Sequence, residues 1–148
     1  MSNARGGKAA LAKRAWQLMF DYLMYTRPAR DRSLESRSLT PNDARALSSL
    51  NRDEGCPIGE LARAWGCDPS NATFIIRRLE QAGLAERRKM PGDGRVKLLT
   101  ARGEKVRKEL LAEFHEPPPE LLDLASSDLK TLAEILKQLR PAEQNLDL

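Results

Sequence analysis

Along residues 8–27 the apolar side chains come in pairs: Leu11/Ala12, Ala15/Trp16, Met19/Phe20 and Leu23/Met24. Steps of three and four residues put them on one face of a helix. Pro28 lacks an amide hydrogen and is expected to kink or end that helix, leaving the polar, basic stretch 29–39 as a second helical piece. Thr40-Pro41 reads as an N-cap followed by proline at the first helical position, opening a short helix to Leu50 with Ala44, Leu47 and Leu50 inward. Residues 51–57 read as a loop. Residues 58–65 are amphipathic, with Ile58, Leu61, Ala62 and Trp65 on one side, and Gly66-Cys67-Asp68 makes a tight turn. Pro69 opens a further helix that runs to about Ala82 and stops at Gly83, a natural residue beyond a helix end.

Two short strand patterns, 84–89 and 95–99, flank the turn-rich run Met90-Pro91-Gly92-Asp93-Gly94 and predict a hairpin. Thr100 caps a helix over 101–114. Pro117-Pro118-Pro119 interrupts it, and 120–139 form one or two last helices with Leu129, Leu132, Ile135, Leu136 and Leu139 apolar. The fold class is mainly α with a small β-hairpin, as a single domain over 1–148.

Of the 148 residues, 25 are basic and 21 acidic, a net charge of +4. Its distribution is uneven: residues 1–40 carry +5 and 56–100 carry +3, against −1 over 41–55 and −3 over 101–148. That asymmetry suits a polyanion-binding face set apart from another function. No apolar run approaches the roughly 20 residues of a membrane span, and no signal-peptide core is evident, so a cytoplasmic protein away from membranes is expected. With one histidine, His115, and two cysteines outside any ligand spacing, neither a metal site nor a cofactor is expected. No nucleophile–base pair, carboxylate dyad or phosphate-cradling glycine loop points to an enzyme.

The short helix, the turn at Gly66 and the longer helix form a helix-turn-helix pattern, whose second helix enters the DNA major groove. At about 100° per residue, Ala72, Ile75, Ile76 and Leu79 share the inward face. Ser70, Thr73, Phe74, Arg77 and Gln81 lie opposite, with Asn71 and Arg78 on a flank. Small hydrogen-bonding side chains come first and cations one turn later, as base edges and phosphates require. The same face would also serve an ordinary solvated helix. The hairpin adds Arg87, Arg88, Lys89, Arg95 and Lys97 around a Gly/Pro tip, which reads as a wing. Its Arg95 would enter the minor groove, held by Asp93 in a charge-assisted pair. A charged, merely solvent-exposed tip is the plainer reading of that hairpin alone.

The ordered run Leu61-Ala62, Gly66-Cys67-Asp68, Ser70, Thr73, Arg78-Leu79-Glu80, Gly83-Leu84, Glu86-Arg87-Arg88, Asp93, Arg95, Leu99-Thr100 and Gly103 resembles the MarR family of bacterial transcriptional regulators. The likeness extends from about residue 8 to 139. It implies a winged helix-turn-helix region over 41–100, with dimerisation helices in 8–40 and 101–148. It further implies a triangular homodimer on a pseudo-palindromic operator of double-stranded DNA, acting as a repressor that a small aromatic or anionic effector releases. By position, Ser70, Asn71, Thr73, Phe74, Arg77, Arg78 and Arg88, with Asp93, Arg95 and Lys97 of the wing, form the DNA-binding set. Three departures stand out: Phe74 where a polar or basic residue is frequent, Gly94 where an arginine is frequent, and a short second strand.

The stripe of Trp16, Met19, Phe20 and Leu23, together with Leu132, Ile135, Leu136 and Leu139, exceeds what one winged-helix core needs. It is expected to pack against a second copy, the alternative being that these helices fold back on their own subunit. A ligand pocket is placed near Trp16, Phe20 and Leu47. Two other readings stay open: a winged-helix protein-interaction module, and a thiol-redox sensor acting through Cys56 or Cys67.

Overall fold

The structure, a computed structural model, describes residues 2–90 and 94–139, with side chains for 5–89 and 99–139. Its elements are α1 (Ser2–Glu35), α2 (Pro41–Ser49), β1 (Cys56–Pro57), α3 (Ile58–Trp65), α4 (Pro69–Gln81), β2 (Ala85–Met90), β3 (Gly94–Leu99), α5 (Ala101–Phe114), α6 (Pro119–Leu122) and α7 (Ser126–Leu139).

The expected break at Pro28 does not occur, and α1 is one helix of 34 residues. Side chains support the turn that the missing amide would weaken. The Thr26 hydroxyl donates to the Tyr22 carbonyl at 3.0 Å. Arg30 reaches back two turns, one guanidinium nitrogen donating to the Leu23 carbonyl at 2.8 Å and another to Thr26 Oγ1 at 3.1 Å. The helix stops instead at Ser38, in the left-handed region with φ 56°. The Leu39 amide donates to the Leu34 carbonyl and the Ser38 amide to the Glu35 carbonyl, both at 3.0 Å, while Leu34 and Leu39 are buried. This is a Schellman closure with its apolar contact, built on serine where glycine is usual. The α3 and α4 helices end in the same way at Gly66 (φ 63°) and Gly83 (φ 72°).

The sheet order is β1-β3-β2, all antiparallel. Part of the expected 51–57 loop is therefore a strand: Cys56 pairs with Lys97 and Pro57 with Val96. Proline is tolerated there because β1 is an edge, where one side of the strand has no ladder partner.

One core joins the elements. Leu47 (0 %), Leu61 (2 %) and Leu79 (0 %) are its centre, with Leu34, Leu50, Trp65, Ile75, Ile76, Leu84, Leu99 and Leu110 around them. Full burial of each such leucine contributes about 1.5–3 kcal/mol. Trp65 keeps its indole N–H satisfied by donating to Ser49 Oγ at 3.0 Å. At the sheet's far end Thr100 does two jobs: its hydroxyl donates to the Gly83 carbonyl at 2.7 Å and accepts the Gly103 amide at 2.9 Å, capping α5. Gly103 lets α5 pass so close to the sheet that a Cβ there would overlap the Leu84 carbonyl oxygen. The α7 helix, by contrast, has no buried residue.

Candidate nucleic-acid interface

The α4 helix carries the two faces expected of it. Ala72, Ile75, Ile76 and Leu79 are buried, while Ser70, Asn71, Phe74, Arg77 and Gln81 are exposed. Thr73 is half-buried, and its hydroxyl donates to the Pro69 carbonyl at 2.8 Å. Its outward hydrogen-bonding capacity is thereby reduced to acceptor lone pairs.

Arg78 is turned toward the protein. Its Nε and one terminal nitrogen donate to the two carboxylate oxygens of Asp43 at 3.3 and 3.0 Å. Asp43 is 1 % exposed, and its Oδ2 also accepts the Thr40 amide at 2.8 Å within the capping box that starts α2. A buried carboxylate needs such partners to stay ionised. The hydrogen bond to Asp43, and then its charge, raise the Arg78 pKa further above the usual guanidinium value. The pair fixes the far end of α4 to the first turn of α2, so Arg78 positions the helix. Asp43 is absent from the site expected from sequence, although the Thr40…Asp43 spacing of a capping box marks it.

On β2, Arg87, Arg88 and Lys89 are exposed. Arg87 Nε lies 3.5 Å from Glu80 Oε1, linking the hairpin to α4, and Arg88 pairs with Glu86 at 2.8 Å. The strand register sets Arg87 opposite Lys97 and Lys89 opposite Arg95. Directly opposed like charges weaken a sheet unless something neutralises them. Arg95 and Lys97 belong to β3, whose backbone alone is described at those positions; Asp93 lies outside the described residues, as does its proposed support of Arg95.

The pocket expected near Trp16, Phe20 and Leu47 is not assembled within one chain. Trp16 and Phe20 lie along the exposed first half of α1, with rings 6.5 Å apart, whereas Leu47 is sealed in the core. About 1.5 Å of rise per residue carries Trp16 some 27 Å from Leu34, where α1 reaches the core. A hollow lies lower, between α1, α2 and α5, lined by Met24, Leu34, Ala44 and Phe114 with Arg27, Arg30, Arg45 and Asp31, the last paired with Arg27 at 3.3 Å. Cys56 has the wrong environment for a reactive thiolate: burial first, and then Glu60, push its pKa up, and Arg63 opposes them only weakly. Both cysteines are free. Among the described residues no helix is long and apolar enough to cross a membrane, and no group of three potential metal ligands occurs.

Residues 39–97, which span α2 to the second wing strand, match the MarR family model. Over that segment the chain is similar to the MarR family. Over 93 residues the chain is 29 % identical to the HTH-type transcriptional regulator YcgE of Bacillus subtilis, covering 63 % of this chain and 60 % of that relative's length. The likeness in fold extends beyond the matched segment. The YusO protein of Bacillus subtilis superposes with a TM-score of 0.74 at 24 % identity, covering 88 % of this chain and 94 % of its own. A MepR variant of S. aureus bound to an oligodeoxyribonucleotide gives 0.67 at 20 % identity, over 84 % and 98 % of the two chains.

Proposed function

We propose that this protein is a homodimeric, sequence-specific double-stranded DNA-binding regulator, acting as a repressor on a pseudo-palindromic operator. The observation that carries the reading is α4 itself: an exposed face of Ser70, Asn71 and Arg77, on a helix held in place by Asp43 and flanked by the basic strands of a wing. Ser70, Asn71 and Thr73 would contact base edges, Arg77 guanine or phosphate, and Arg88, Arg95 and Lys97 the backbone or minor groove. The basic composition of the wing strands favours a polyanion.

The dimer is supported by the apolar surface left open on α1 and α7, including Trp16, Met19, Leu23, Leu132, Ile135, Leu136 and Leu139. On the same stretch of α1, the Tyr22 hydroxyl is shut off from water and has no partner among the described residues. A second copy packed there would cover those apolar residues. The hollow of Met24, Leu34 and Phe114 with its arginines suits a small aromatic anion, whose binding beside α2 would release the DNA.

The test is a titration of purified protein against a duplex selected from random DNA, repeated across salt concentrations. Binding that weakens steeply, with log K falling by about 0.9 per phosphate contact for each decade of salt, and half-sites about one DNA turn apart, are the expected results. A monomer indifferent to duplex DNA at low ionic strength would overturn the proposal.

A further inference from the structure

Large exposed apolar side chains fall almost entirely on two segments, α1 and residues 119–139. Among the described residues there is one exception: Phe74, 61 % exposed, in the middle of α4. A lone exposed apolar residue is ordinary on a protein surface. What singles out Phe74 is its setting. It stands one turn after Ser70 and Asn71 and one turn before Arg77, all three exposed. Residues three and four apart on a helix are surface neighbours, so the ring is ringed by small hydrogen-bonding groups and a cation.

That combination narrows the occupant. A helix-docking protein partner needs a row of apolar anchors at i, i+3, i+4 and i+7, and α4 offers one on its outer face. The neighbouring cation and the basic β2 strand call for a polyanion instead. A polyanion presenting an apolar group at the depth a helix reaches is duplex DNA, whose major groove carries the 5-methyl of thymine. Thr73, the adjacent candidate reader, has its hydroxyl proton engaged on the Pro69 carbonyl, which leaves Phe74 the most prominent group at the centre of this face.

We infer that Phe74 is a specificity-determining residue that reads a thymine 5-methyl group in the major groove. This rests on the DNA-binding reading above and adds to it a named base and a named atom. The contact excludes water from one methyl against one aromatic ring and uses no hydrogen bond. Discrimination therefore falls on the methyl itself, not on the base-pair edge.

The experiment begins with selection of a duplex from a random-sequence DNA pool by the wild-type protein. Each thymine of the recovered duplex is then replaced singly by deoxyuridine, which removes only the methyl. Affinities are measured at one fixed salt concentration for wild type, Phe74→Ala and Phe74→Leu. The inference expects a thymine at a fixed position in each half-site. Its conversion to deoxyuridine should weaken wild-type binding about fourfold, the ratio set by burying one methyl-sized group. Phe74→Ala should be weaker on the thymine duplex and blind to the same conversion, while Phe74→Leu, still apolar, keeps the sensitivity. Phe74 is mostly exposed and outside the core cluster, so unchanged thermal melting of both variants is the folding control. Tight binding with no methyl-sensitive position, or Phe74→Ala as sensitive as wild type, overturns the inference while leaving DNA binding intact. Recovery of no duplex at all overturns the reading beneath it.

Discussion

The reading head and the two helical arms dispose of their apolar side chains in opposite ways. Between Leu34 and Leu110 the large aliphatic residues close on one another, and Leu47, Leu61 and Leu79 keep 2 % or less of their surface. Along α1 and α7 residues of the same chemistry stay open, with Trp16 at 61 % and Leu139 at 63 %. Composition does not separate the two regions; the availability of a partner surface within one chain does. The head's helices and sheet close around one core, whereas the outer faces of α1 and α7 have no such cover among the described residues. The head should therefore unfold as a concentration-independent unit, while the order of the arms should depend on protein concentration.

Substitutions can break this contrast or sharpen it. The largest effect is expected from Leu79→Ala, where a sealed side chain leaves a cavity: about 2–5 kcal/mol lost in denaturant unfolding. The equivalent change at Ile135, half exposed in the single chain, should cost the head little and instead raise the concentration at which the proposed dimer dissociates in sedimentation. A cost at Ile135 equal to that at Leu79 would erase the distinction. Arg78→Ala should follow with a smaller loss, because it leaves the buried Asp43 carboxylate without its countercharge. Arg77→Ala should leave unfolding unchanged and weaken duplex binding by about 1–3 kcal/mol, separating a surface reader from its structural neighbour.

The smallest effect concerns pH. Arg37 Nη1 donates to Glu113 Oε2 at 3.0 Å, joining the end of α1 to α5, and this hydrogen bond holds the Glu113 carboxyl below its usual value. A carboxyl depressed in the folded state stabilises it above the unfolded pKa of about 4.3, and that contribution is lost as pH falls through the depressed value. The pair is largely solvated, so the loss is small. Melting of Glu113→Gln should be less sensitive to acid than wild type between pH 5 and about pH 3; identical profiles would remove the pair from the account.

Much of the head was legible in the sequence because its signals are local. Pro69 and Gly83 bracket α4, and its apolar spacing names the four residues that are buried. The misread features depend on contacts that spacing does not carry. Pro28 looks like a stop until Arg30 is seen reaching back to the Leu23 carbonyl. Ser38 gives no turn signal because its left-handed backbone is imposed by the Leu34–Leu39 contact. The β1 strand is two residues long and contains proline, so only its pairing with β3 reveals it. Trp16, Phe20 and Leu47 share a hydrophobic character but not a location, since helix rise separates them. On the candidate interface, Arg78 and Arg77 are adjacent cations on one helix; the buried Asp43 beneath one of them decides which faces outward.

Asp43 also determines how mechanical load travels. A single carboxylate belongs at once to the opening turn of α2 and, through Arg78, to the closing turns of α4. Tilting α2 by pressure from the hollow beside Ala44 and Arg45 cannot be absorbed as slack between the two helices, because stretching that link would strand an ion in the interior. Under the proposed regulation the two helices would swing as one lever, and a small displacement near α1 would arrive at the outer face of α4 as a change in its angle.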